Sequence, residues 1–172
     1  MSNNAEAGVL AIAREHHIPT VHLHRKQFDS DEEFNATMLK MLEQYDVNFI
    51  ALAGYMKKLD PVIIRHYRNR IVNIHPALLP AFGGHGMYGM RVHEAVIASK
   101  ASVSGATVHI VDEDYDHGPI VLQKSVEIAE SETPESLAEK VLIIEHEIYP
   151  EVIQLFSEGK VVVHEQQVVL LN

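Results

Sequence analysis

The spacing of apolar residues along the 172 positions changes period several times, and each change predicts an element. Val9, Leu10 and Ala13 form one stripe of a helix over residues 5–17. Val21–Leu23 reads as a short strand. Ser30 followed by Glu33 has capping-box spacing, and Phe34, Met38, Met41 and Leu42 supply the apolar face of the helix behind it. The continuous run Asn48–Ala53 predicts a buried strand. Asp60-Pro61 is a cap followed by proline at the first helical position, opening a short helix through Tyr67. Ile71–His75 reads as a strand, residues 76–89 as a Pro- and Gly-rich loop, and a helix follows to about Ser99. Thr107–Val111 and Ile120–Ile128 predict strands. Thr133-Pro134 opens a long helix ending near Gly159, and Val161–Leu171 closes the chain as a strand or hairpin. Strands separated by helices predict an α/β domain with a largely parallel sheet. In such sheets ligands bind at the carboxyl ends of strands, here near Gly54, His75 and Val111.

The length predicts one domain, and no repeat or linker-like stretch divides it. With 14 basic and 24 acidic residues the formal net charge is −10, which argues against a nucleic-acid or anionic-membrane partner. There is no cysteine, so thiol nucleophiles, disulfides and cysteine-ligated zinc are excluded. No apolar run approaches the roughly 20 residues of a membrane span. The expected setting is soluble and cytoplasmic.

Of the 12 histidines, His22 and His24 share a strand face. No third ligand completes a metal site, and none is expected. Gly84-His85-Gly86-Met87-Tyr88-Gly89 matches the dinucleotide pattern G-x-G-x-x-G. In that fingerprint the first glycine directly ends a strand, whereas here a long segment intervenes after Ile74. The segment reads instead as a glycine loop over a site. Asn73-Ile74-His75-Pro76 is more specific. Asn73 and His75 project from one strand face. An amide and an imidazole side by side suit a carbonyl carbon under attack, because both can donate to the developing oxyanion. A carboxylate nearby would favour the imidazolium. Asp116, in the acidic loop Asp112–Pro119, is the candidate, and it is expected to raise the pKa of His75.

Together, NIHPALLPAFGG, GATVHIVDEDYDHGPIVLQKSV and IEHEIYPEVIQLFSEGKV resemble the folate-dependent formyltransferases. SNNAEAGVLAIAREHHIPT and VNFIALAGYMKKLDP extend the resemblance over essentially the whole chain, in the family's order. It implies a three-layer, Rossmann-like formyltransferase fold. The activity implied is transfer of a formyl group from 10-formyltetrahydrofolate, a co-substrate, to the amino group of glycinamide ribonucleotide in purine biosynthesis, without a metal. Carried over by motif, Asn73, His75 and Asp116 match the family's catalytic trio. Met56, Lys57, Lys58 and Leu59 match one wall of the pterin pocket. Glu113, Asp114 and Tyr115, leading to Asp116, match the opposite wall. Ile74, Pro76 and Glu145 fall where the ribonucleotide is contacted.

The pattern departs from the family in two places. Asp31 stands where some relatives place an arginine near the folate tail. The family also begins with a strand, a phosphate-binding loop, a helix and a second strand, whereas this chain opens at the Met1-Ser2-Asn3 segment that follows them. An N-terminally truncated domain is therefore expected, with the folate half-site retained, the ribonucleotide held poorly, and unpaired strand edges prone to association, a homodimer being left open. The rival readings are a formyltetrahydrofolate deformylase, which uses the same trio, and a non-catalytic folate-binding remnant.

Overall fold

The computed structural model describes residues 1–164 and 166–171. The chain forms two compact units, one spanning Met1–Val47 and the other beginning at Asn48. In the first, α1 (Gly8–Glu15) leads through a single 3-10 turn to α2 (Asp31–Gln44). The predicted strand at Val21–Leu23 is absent: only an isolated bridge joins Ser2 to His22, too short to form a ladder. His24 is spent locally, its Nδ1 accepting from the Lys26 amide at 3.0 Å to cap the 3-10 turn. Ser30 caps α2 as expected, accepting from the Glu33 amide at 3.1 Å. Asp31, at the start of α2, pairs with Arg25.

In the second unit the elements run β1 (Ile50–Leu52), α3 (Pro61–His66), β2 (Ile71–His75), α4 (Met90–Ala98), β3 (Val103–Ile110), β4 (Ile120–Glu127) and α5 (Pro134–Ser157). A hairpin of β5 (Val161–His164) and β6 (Gln167–Leu170) follows, and residue 165 of the predicted terminal element lies outside the described residues. Asp60 and Thr133 cap α3 and α5, with proline next in each, as their spacing predicts. The sheet order is β1-β2-β3-β4. The α/β class holds, but the sheet is mixed rather than largely parallel. β1 and β2 are parallel, while β2–β3 and β3–β4 are antiparallel. The β3–β4 connection is the acidic loop, too short for the helical crossover a parallel pair requires. β3 also starts four residues before the predicted Thr107. Ser104 and Gly105 break the apolar run there, yet a Cβ on Gly105 would stand 2.1 Å from the Lys124 carbonyl oxygen, so the strands close only over glycine.

Leu137, Val141, Ile144, Ile148 and Val152 recur every three or four residues along α5 and are all buried. They join Val72, Val108 and Ile110 of the sheet and Val92 and Val96 of α4 in one core. Tyr149 ties α5 to the strands that carry the site: its hydroxyl donates to the Leu52 carbonyl at 2.7 Å and approaches that of Val72 at 3.3 Å. Among the described residues no helix is long and apolar enough to cross a membrane.

Candidate active site

A cavity of about 430 Å³ opens where β1 and β2 end, within the range of small-molecule sites. Gly54, His75 and Val111, the three strand ends singled out from the sequence, all line it. Asn73 and His75 reach it from the same face of β2, and Pro76 ends the strand beside them. His75 is only 3% exposed. Its Nε2 lies 2.8 Å from the Phe82 carbonyl, an acceptor, so that nitrogen carries a proton. Its Nδ1 faces Asp116 Oδ2 at 3.5 Å. The acidic loop therefore does reach His75. Asp116 sits at φ 52°, a left-handed conformation that Asp tolerates better than most side chains, and Oδ2 accepts from the Gly84 amide at 2.9 Å. The same turn of the glycine loop is thus clasped twice, at Phe82 by His75 and at Gly84 by Asp116.

His109 completes the cluster, and the sequence reading missed it. It lies directly across the antiparallel ladder from Asn73. Its Nδ1 is 3.0 Å from the Ile110 carbonyl, which places the proton there and leaves Nε2 to accept from Asn73 Nδ2 at 3.3 Å. Asn73 thereby holds its amide nitrogen in a defined direction and keeps a second N–H for another acceptor. The same His109 Nε2 is 3.6 Å from Asp116 Oδ1. The signal in the sequence was one histidine inside the apolar stretch Thr107–Ile110. Only antiparallel pairing gives it meaning.

Electrostatics correct one expectation. The pKa of His75 is lowered, not raised: burial drives it down, and the Asp116 charge and the Phe82 carbonyl only partly oppose this. A buried imidazole pays more for losing hydration than one carboxylate at this distance returns. Burial pushes Asp116 upward, but the neighbouring His109 ring, the hydrogen bond from the Gly84 amide and the positive charge His75 can carry outweigh it, so its carboxyl lies below the usual range. Near neutrality the pair is neutral imidazole beside carboxylate. This has a consequence for stability. His93, buried on α4, is likewise lowered by burial and by His75. Both histidines take up protons more readily unfolded, near pH 6.5, than folded, so their neutral burial is fully favourable above that pH and stability falls as pH drops below it. Urea midpoints should fall from pH 7.5 to 5.5, and His75→Gln should flatten that slope. An unchanged slope would show that His75 is not buried neutral.

The remaining predicted residues divide. Met56, Lys57, Lys58, Leu59, Ile74, Pro76, Asp114, Tyr115 and Glu145 all line the cavity. Burial raises the Glu145 carboxyl. Glu113 does not line it: its carboxylate turns to Arg65, at 3.2 Å. Gly84, Gly86 and Gly89 also line the cavity, with Arg91 from the first turn of α4. This is the covering glycine loop expected from the sequence. β2 ends at His75, well before Gly84, so the tight turn of a dinucleotide fingerprint is not formed. Among the described residues no group of three or more His, Asp or Glu side chains could hold a metal ion.

The formyl transferase family model matches residues 1–153. The chain is 40% identical over 173 residues to the chloroplastic phosphoribosylglycinamide formyltransferase of Arabidopsis thaliana, covering 100% of this chain and 59% of that one. It is 38% identical over 149 residues to the phosphoribosylglycinamide formyltransferase of Bacillus subtilis, covering 87% and 74%. Its fold superposes with a TM-score of 0.90 on glycinamide ribonucleotide transformylase 1 from Symbiobacterium toebii, at 36% identity, covering 99% of this chain and 78% of that one. The chain thus spans less than two thirds of the plant relative and about three quarters of the bacterial ones, and with its family model matched over most of its length it belongs to the formyl transferase family.

Proposed function

We propose that this chain carries the site for formyl transfer from 10-formyltetrahydrofolate to the primary amine of glycinamide ribonucleotide. The observation that carries this reading is the convergence of Asn73, His75 and Asp116 on one cavity. In this reading the pterin lies between Met56–Leu59 and Asp114–Tyr115, and the ribonucleotide lies against Ile74, Pro76 and Glu145. The amine nitrogen attacks the formyl carbon. The second N–H of Asn73, the one not given to His109, donates to the oxyanion that forms. Preorganised donors of this kind act without reorganisation cost in a site closed to water. The amine's proton passes to the neutral His75–Asp116 pair, directly or through water, giving an imidazolium held beside the carboxylate. That imidazolium returns the proton to the departing folate nitrogen as the carbon–nitrogen bond breaks. The proton count closes: one leaves the amine and one arrives on the folate. The lowered pKa of His75 fits this order, since the imidazole must be free to accept before it donates.

The direct test follows formyl-group fate with the intact chain, 10-formyltetrahydrofolate and glycinamide ribonucleotide. Amine-dependent loss of the folate formyl group with formylated ribonucleotide as product supports the reading. Release of formate at the same rate with or without the amine would make the site a hydrolase and overturn it, as would the absence of folate binding.

A further inference from the structure

We propose that Gln123 is a positioning residue for the His75–Asp116 pair, holding in place the turn of chain that both side chains grip. This rests on the reading above, that the pair moves the proton of formyl transfer. The register of the sheet is the starting point. His75 lies directly across from Thr107 on β3, and Thr107 directly across from Gln123 on β4. Residues opposite one another on antiparallel strands share a face, so the three side chains form one row. Thr107 is fully buried, and its hydroxyl has no bonding capacity left over. It donates to the Ala77 carbonyl at 2.6 Å, and accepts from the Leu79 amide at 3.1 Å and from Gln123 Nε2 at 2.9 Å. The second N–H of Gln123 donates to the Leu79 carbonyl at 2.8 Å. The row therefore holds Leu79 by both its backbone groups.

Leu79 is the link to the site. It is buried, and its side chain lies against Gly83. A Cβ at Gly83 would stand 2.5 Å from Leu79 Cδ2 and 3.1 Å from Asp116 Cβ. Glycine is required there by space, and it rests between Leu79 and Asp116. The residues on either side of it are the two that the pair grips. Phe82 accepts from His75 Nε2, and the Gly84 amide donates to Asp116 Oδ2. A fixed Leu79 thus sets where that acceptor and that donor stand. Gln123 itself is exposed, on the edge strand of the sheet, and does not line the cavity. Its influence on the chemistry runs through Leu79, not through contact with a substrate.

The test compares wild type, Gln123→Met, Gly83→Ala and Glu127→Gln as intact chains. Met keeps the length of Gln and removes both donors at an exposed position, so the fold is retained. Three quantities are read: kcat for formyl transfer, the affinities of a stable 10-formylfolate analogue and of glycinamide ribonucleotide, and solvent exchange of the His75 Nε2 proton. The last is followed by NMR in protein with isotope-labelled histidine and no substrate. In wild type that proton is buried against the Phe82 carbonyl and exchanges slowly. Gln123→Met should lower kcat about tenfold, leave both affinities within about twofold and speed the exchange about tenfold, because a small displacement of a reacting group costs rate before it costs binding. Gly83→Ala presses on Leu79 and Asp116 from the other side and should lower kcat and speed exchange in the same way. Glu127→Gln, further along the same face of β4, should match wild type. Unchanged kcat or unchanged exchange in Gln123→Met would overturn the proposal. So would affinities that fall as far as kcat, the same losses in Glu127→Gln, or a Gly83→Ala protein that behaves as wild type. Absence of formyl transfer by wild type would overturn the reading of the site itself, and the role given to Gln123 with it.

Discussion

Asn73→Ala and His75→Ala are each expected to lower kcat for formyl transfer by about 10²–10³, with folate affinity changed by no more than about threefold. The magnitude is that of losing one preorganised donor at a developing oxyanion. The split between kcat and affinity follows from the geometry. In the proposed reading the pterin lies between Met56–Leu59 and Asp114–Tyr115, whereas Asn73 and His75 face the reacting carbon, so their contacts strengthen only as charge develops. For Asn73 the loss is compounded, because the amide that remains to His109 in wild type disappears as well and leaves Nε2 unpaired. His75 is buried and supports the Phe82 carbonyl, so truncation to Ala also leaves a hole and an unsatisfied acceptor. His75→Gln keeps most of the volume and a donor toward Phe82 but cannot hold or return a proton. It separates folding from chemistry: a folded, folate-binding His75→Gln protein with near-normal kcat would remove His75 from the mechanism.

Asp116→Asn is expected to lower kcat by about 10²–10⁴, the range for losing a general acid–base partner. It is also expected to lower the pKa of His75 still further. The sign is fixed by what remains. Burial already drives that pKa down, and the Asp116 charge is the larger of the two effects opposing it. Without it the imidazolium of the proposed transfer has no counter-charge, so in that mechanism the transition state loses more than the resting state does. The substitution is conservative in every other respect. Asn tolerates the φ of 52° as Asp does, and its side-chain oxygen can still accept from the Gly84 amide. A ring-proton NMR titration of His75 in both proteins measures the shift. An unchanged titration, or an upward shift, would mean that Asp116 is not the charged neighbour the geometry makes it.

Much of the local structure was legible because its causes are local. Ser30, Asp60 and Thr133 cap helices because their side chains satisfy amides two or three residues ahead, and that spacing is written in the chain. The pairing of Asn73 with His75 was legible for the same reason: two residues apart on a strand means one face. Elements that depend on a distant partner were not legible. Val21–Leu23 carries strand-forming residues but finds only one bridge. The start of β3 at Val103 was hidden, because Gly105 looks like a break until the Lys124 backbone is seen against it.

The sequence by itself determined the α/β class, the strand ends that bear the site, and the types of donor gathered there. Tertiary structure alone decided how those groups act. Antiparallel pairing of β2 with β3 put His109 opposite Asn73 and so oriented the amide. The fold of the acidic loop brought Asp116 to His75 while turning Glu113 away to Arg65. Burial then set the resting charge of His75 against the expectation drawn from its neighbour. The reason is physical. Residue type and short-range spacing fix which hydrogen bonds and charges are available, but their strength and sign depend on hydration and on groups far away in the chain, which only the packed molecule supplies.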